Sequence, residues 1–153
     1  MRHLALASAL VAAGLVLVVV PGGGAARRSP GDLPAAAAAV KQRGYRPDRS
    51  TWDGTFKLNV LVGTFAKSAD GYNKRAFFFW GRRYLGTDAS APSASLEEIW
   101  RDDKTIALLY ILYRSPDPLC CPTGGGAIVR FHWNGTRLVA VDRIPPTSGS
   151  VHR

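Results

Sequence analysis

Only two cysteines occur in this chain of 153 residues, and they are adjacent: Cys120 and Cys121. They sit in Ser115-Pro116-Asp117-Pro118-Leu119-Cys120-Cys121-Pro122-Thr123-Gly124-Gly125-Gly126, a proline- and glycine-dense turn between two apolar runs. Adjacent Cα atoms lie about 3.8 Å apart, below the usual disulfide range of about 4.4–6.8 Å, so a bond between them is a tight ring. Pro118, Pro122 and the three glycines make such a loop feasible. Three readings are open: a vicinal disulfide, two separate structural thiols, or a metal-binding or catalytic thiol. The expectation is a structural vicinal disulfide. A reactive thiolate wants a basic partner or a helix N-terminus. A structural metal wants four ligands, and Asp117 is the one acid nearby.

The other candidate groups are sparse. Of three histidines, His3 and His152 lie near the chain ends, leaving His132 as the one base that could serve a thiol. An enzyme of thiol or hydrolase type would therefore be built on Cys120, Cys121 and His132, with a hairpin surface as the competing fate of the histidine. Gly124-Gly125-Gly126 precedes a strand pattern, whereas a phosphate cradle wants a following helix, so loop flexibility is the better account. Glu97, Glu98, Asp102 and Asp103 flank a turn and read as solvated. No metal site, cofactor or catalytic residue is implied.

The elements that position these residues begin after an export signal. Met1-Arg2-His3 is a basic start, residues 4–20 are apolar, and Gly24-Ala25-Ala26 offers a small-residue cleavage site before Arg27. Residues 1–26 thus read as a signal peptide, or as a retained anchor whose only membrane contact is residues 4–20. Arg27 and Arg28 after the run give weak support to the anchored orientation. No cysteine near the run can take a lipid. Residues 27–31 form a linker, 32–146 a single domain and 147–153 a loose tail.

Asp32, Pro34 and the alanines that follow predict a helix over 33–43, stopped by Gly44. Its alanine face needs a flat partner. From Trp52 onward the pattern is β. Strands are expected over 56–64, 76–80, 84–85, 96–101 (a short helix is the alternative) and 105–113, with hairpins at Gly81-Arg82 and Asp102-Asp103-Lys104. Residues 105–113 are apolar on both faces and read as a central strand, covered on one side by the helix. Asn134-Gly135 predicts a two-residue type I′ turn, with Trp133 facing Thr136, Phe131 facing Leu138, Val129 facing Ala140 and His132 facing Arg137. Asn134-Gly135-Thr136 fits a glycosylation sequon, but the turn explains it better. The fold expected is α+β: one N-terminal helix on a mostly antiparallel sheet of six to seven strands. Aromatics on any uncovered sheet face would form a ligand or partner patch.

Lys and Arg number 20 against 11 Asp and Glu, a net charge of +9. Such a chain is drawn to anionic surfaces. The basic residues are dispersed, in no run longer than two, and no nucleic-acid motif accompanies them. Arginine outnumbers lysine, and Ala and Gly are abundant, as the genome bias of a GC-rich bacterium would produce.

Several segments together resemble a known family. They are Phe77-Phe78-Phe79 with Gly81, Leu85-Gly86-Thr87-Asp88, Tyr110 with Leu112-Tyr113, Asp117-Pro118-Leu119-Cys120-Cys121-Pro122, Val129-Arg130-Phe131-His132-Trp133-Asn134-Gly135 and Ile144-Pro145-Pro146. Over about 44–146 they look like the LppP/LprE lipoproteins of actinobacteria. The resemblance implies an exported, envelope-associated protein and supplies no catalytic residues. This chain lacks the family's lipobox cysteine. The function expected is a non-catalytic domain that binds an envelope ligand or partner, with an anionic surface as a candidate.

Overall fold

The computed structural model describes residues 32–115 and 117–146. The signal expected at 1–26, the linker expected at 27–31 and the tail expected at 147–153 lie outside the described residues. One helix, α1 (Asp32–Gln42), is followed by eight strands: β1 (Tyr45–Asp48), β2 (Leu58–Phe65), β3 (Lys74–Trp80), β4 (Arg83–Thr87), β5 (Ser95–Arg101), β6 (Thr105–Ile111), β7 (Gly126–Trp133) and β8 (Leu138–Ala140). The α+β class is as expected. The single sheet is not: the strands form two four-stranded antiparallel sheets, ordered β1-β2-β3-β4 and β5-β6-β7-β8.

The reason lies in which strands are apolar on both faces. In β2, Leu58, Val60 and Val62 face the second sheet, and Leu61 faces the helix; in β3, Ala76 and Phe78 face the sheet, and Phe77 and Phe79 the helix. The main core is the layer between the sheets, completed by Leu96, Ile106, Leu108, Tyr110, Val129, Phe131 and Trp133. A second core lies under α1, where Ala36, Ala37 and Val40 meet Tyr45, Leu61, Phe77 and Phe79. Three layers result: helix, sheet, sheet. Each fully buried Phe is worth roughly 1.5–3 kcal/mol relative to exposure, so Phe77, Phe78 and Phe79, all buried, tie the layers together.

The helix therefore covers β2 and β3, not the strand over 105–113. Strand β6 is central in its sheet, but only Ile106, Leu108 and Tyr110 face the core. Its other face is the open side of the second sheet, where Ala107 is sheltered between its registered neighbours Trp100 and Arg130. One strand had no sequence signal: Pro47 masked β1, which lies at a sheet edge where proline is tolerated; the three-residue β8 is the return limb of the hairpin expected at Asn134-Gly135.

The helix stop and two turns follow expectation. Gly44 takes φ +83° after the helix. Gly81-Arg82 joins β3 to β4, with Trp80 opposite Arg83. Asp102 Oδ1 accepts from Lys104 N and Thr105 N, closing β5 onto β6, so 96–101 is strand rather than helix. Ser68 donates to Asp70, which also accepts from Tyr72 N, in the turn before β3. The last hairpin differs. Trp133 faces Leu138, His132 faces Val139 and Phe131 faces Ala140, so the loop spans 134–137. Only Gly135 has positive φ there, at +97°. Asn134 instead uses its side chain, whose Oδ1 accepts from Thr136 N and Arg137 N at 2.9 Å each. This Asx cap replaces the backbone turn that a type I′ pair would make. The register moves by two residues, so every side chain keeps its face while its partner changes.

Candidate functional site

The segment between β6 and β7 is a built loop. Its neck is closed by Leu112 N to Gly125 O at 2.9 Å and Gly124 N to Leu112 O at 3.0 Å. A Cβ on Gly124 would lie 2.5 Å from Leu112 O, so this glycine is required for close approach. The flexible-loop reading of the glycines is thus corrected: they permit packing. Asp117, nearly buried, organises the interior. Its Oδ2 accepts from Arg114 N at 2.7 Å and Thr123 N at 2.8 Å, and its Oδ1 accepts from Thr123 Oγ1 at 2.7 Å. The backbone N–H of Thr123, then that of Arg114, holds the Asp117 carboxyl below its ordinary range.

Two tyrosines hold the outer limb. Tyr72 OH donates to Leu119 O at 2.5 Å and Tyr113 OH to the same oxygen at 3.0 Å, with the rings edge to face at 6.1 Å. Burial, then the contact with Tyr72, pushes the Tyr113 phenol up to about 12. Beyond Leu119 the chain turns, with Cys121 N donating to Pro118 O at 3.0 Å. Side chains on successive residues of an extended chain point to opposite sides. Here the chain turns at the pair, and the neighbouring Cys120, then burial, raises the Cys121 thiol. Both cysteines are free and exposed, so the expected disulfide is not formed in this structure. Asp117 and the two tyrosines supply the anchorage that the bond was expected to give.

His132 does not join them. It lies near the far end of β7, six residues from Gly126, or about 20 Å along a strand. Its Nδ1 is 3.0 Å from Thr105 Oγ1. Cys120, Cys121 and His132 therefore form no nucleophile–base pair. Nor do the acids form a site. Glu98, expected to be solvated, instead pairs with Arg101 at the edge between the two sheets; Arg101 also donates to Asn59 Oδ1 at 3.0 Å and Thr51 O at 2.6 Å. Among the described residues no group of three or more His, Cys, Asp and Glu is placed to hold a metal ion.

Two features escaped sequence reasoning. The first is Asp88, only 4% exposed. Its Oδ1 accepts from Ala76 N at 2.9 Å and its Oδ2 from Tyr110 OH at 2.8 Å, clasping the first sheet to the second. Burial raises its carboxyl above the ordinary range, and burial beside Asp88 raises the Tyr110 phenol. Its place in Leu85-Gly86-Thr87-Asp88 was visible, but no periodicity marks a buried acid.

The second is the distribution of charge. Residues 32–87, the helix and first sheet, carry ten Lys and Arg against four Asp, or +6. Residues 88–146, the second sheet and its loops, carry six against seven acids, or −1. Basic residues dispersed along the sequence are thus gathered on one half, with Lys41, Arg43, Arg46, Arg49, Lys57, Lys67, Arg82 and Arg83 exposed. The opposite outer face, on the second sheet, exposes Trp100 (52%) and Ile128 (56%). Most strand aromatics are core, as expected; Trp100 is the one that lies largely in the open.

A family model described as LppP/LprE lipoprotein matches residues 50–136, from the turn before β2 to the β7–β8 loop. No curated protein and no solved structure matches the chain.

Proposed function

The chain belongs to the LppP/LprE lipoprotein family, and we propose that it is an envelope-associated, non-catalytic binding domain whose basic half rests on an anionic phospholipid surface. Envelope association is what the family name implies. The observation that carries the lipid reading is the segregation of charge, +6 on the helix and first sheet against −1 on the rest of the domain. Each Lys or Arg near an anionic bilayer contributes about 1 kcal/mol, and the attraction fades within a Debye length of about 8–10 Å. The basic half also contains α1, the first described element after the apolar residues 4–20. If those residues are kept as an anchor, the helix end of the domain is the end held nearest the membrane. No helix among the described residues is long and apolar enough to cross a membrane.

The test is co-sedimentation of the protein lacking residues 1–26 with vesicles of phosphatidylglycerol and with vesicles of phosphatidylcholine. Binding to the anionic vesicles that falls steeply between 50 and ~300 mM salt supports the reading. Equal binding to both vesicle types, or none at low salt, contradicts it.

A further inference from the structure

The thiol pair lies between β6 and β7, outside the basic half, and suits a different ligand. Cys120 and Cys121 are exposed, unbonded and adjacent in the chain, on a loop anchored from three directions: Asp117, the Leu112–Gly125 neck and the two tyrosines. Asp117 is fully engaged within the loop and faces three donors, so it is no third ligand. A zinc-type centre needs four donors, and none is built here. What remains is a chelate of two neighbouring sulfurs. Soft thiolate ligands select soft acceptors, and a pyramidal acceptor that can be held by two sulfurs, with sulfur–metalloid–sulfur angles near a right angle, suits two exposed thiols on adjacent residues. We propose that Cys120 and Cys121 form a chelating dithiol for trivalent arsenic species.

The chemistry balances without a redox partner. An arsenic(III) centre bearing two hydroxyls loses both as water, taking the proton of each thiol. Two As–S bonds replace two As–O bonds, and arsenic stays trivalent. The first As–S bond makes the second intramolecular, and such linkage raises overall affinity by about 10²–10⁴-fold over a single contact.

The experiment uses the full-length chain in detergent, reduced and desalted until two thiols titrate, with phenylarsine oxide as the probe. Intact mass should show one phenylarsenic group per chain, with both thiols consumed. The adduct should survive excess 2-mercaptoethanol and be released by 2,3-dimercaptopropanol. Cys120→Ser and Cys121→Ser, both at exposed positions, should each retain the probe about 10²–10⁴-fold less well under the monothiol challenge, with unchanged tryptophan fluorescence showing an intact fold. Label that washes off the wild type as readily as off either variant would overturn the proposal. So would a single variant that holds the probe as firmly as the wild type.

Discussion

Replacing Asp88 by Ala tests the clasp between the sheets. The carboxylate accepts from Ala76 N at 2.9 Å and from Tyr110 OH at 2.8 Å, and both donors belong to buried residues. Truncation leaves two buried donors without partners, at about 1–3 kcal/mol each, so Asp88→Ala should destabilise by about 2–6 kcal/mol. Asp88→Asn keeps an oxygen for Ala76 N but turns an N–H donor toward the Tyr110 hydroxyl, which loses its acceptor, and should cost about 1–3 kcal/mol. Tyr110→Phe removes one donor and should cost about 1–3 kcal/mol. In a double-mutant cycle, the Ala and Phe changes should be non-additive by about 0.5–3 kcal/mol. Urea denaturation followed by circular dichroism at neutral pH supplies all four stabilities. An Asp88→Ala protein within about 0.5 kcal/mol of wild type, or strict additivity with Tyr110→Phe, would refute the clasp. The pH dependence has a definite sign. Burial raises the folded-state carboxyl above its ordinary 3.8. The folded protein then holds the proton more tightly than the unfolded chain, so this group withdraws stability as pH rises from 3.8 through the folded value. The Asn variant lacks that loss, and its standing relative to wild type should improve with rising pH across the same window.

Other expectations are separately measurable. Gly135→Val places a β-branched residue at φ +97° and should cost about 1–3 kcal/mol by chemical denaturation, although its Cβ meets nothing within 4 Å. Gly124→Ala drives a methyl to 2.5 Å from Leu112 O and should cost about 1–3 kcal/mol while speeding amide exchange across 112–125. The Asp117 carboxyl is lowered by the Thr123 and Arg114 N–H groups, so the order it lends the loop is present above its unfolded value of 3.8 and lost as pH falls through the folded one. Amide exchange at Thr123 should therefore accelerate in acid, and an unchanged rate would remove Asp117 from its role as hub. Amino-terminal sequencing of the exported protein should find Arg27 first; a start at Met1 in the membrane fraction would leave the anchor.

Local patterns in the sequence carried the elements well and their layering poorly. The alanine face of α1, the Gly81-Arg82 turn and the Asp102-Asp103-Lys104 turn are each set by residues within a few positions, and each was legible. Whether two strands share a sheet depends on contacts between distant residues. Period-two alternation marked 56–64, and an aromatic run 76–80, as strands without revealing that both their faces were claimed, by the helix and by a second sheet. The apolar outer residues of β6 suggested a covered strand, yet Leu109 lies on the open face beside Ile128. Asn134-Gly135 announced a hairpin, but the choice between a backbone I′ turn and an Asx cap rested on one side-chain rotamer. The cysteine pair was visible at once. Its scaffold was not, because Tyr72 reaches Leu119 across 47 positions of sequence. Charge was counted correctly, but a linear reading could not see that sheet membership sorts it.

Charge reversal on the two halves tests the central claim most directly. Lys41, Arg49 and Lys67, all exposed on the helix and first-sheet half, are replaced together by Glu. The matched control replaces Lys104, Arg137 and Arg143, exposed on the other half. Both proteins have the same net charge, so only the location of the change differs. At about 1 kcal/mol per basic residue near the surface, the first set should lower the partition coefficient onto phosphatidylglycerol vesicles on the order of a hundredfold or more. The control set should lower it by much less. Equal losses from the two sets would mean that net charge alone governs attraction, and would contradict a membrane-facing basic half.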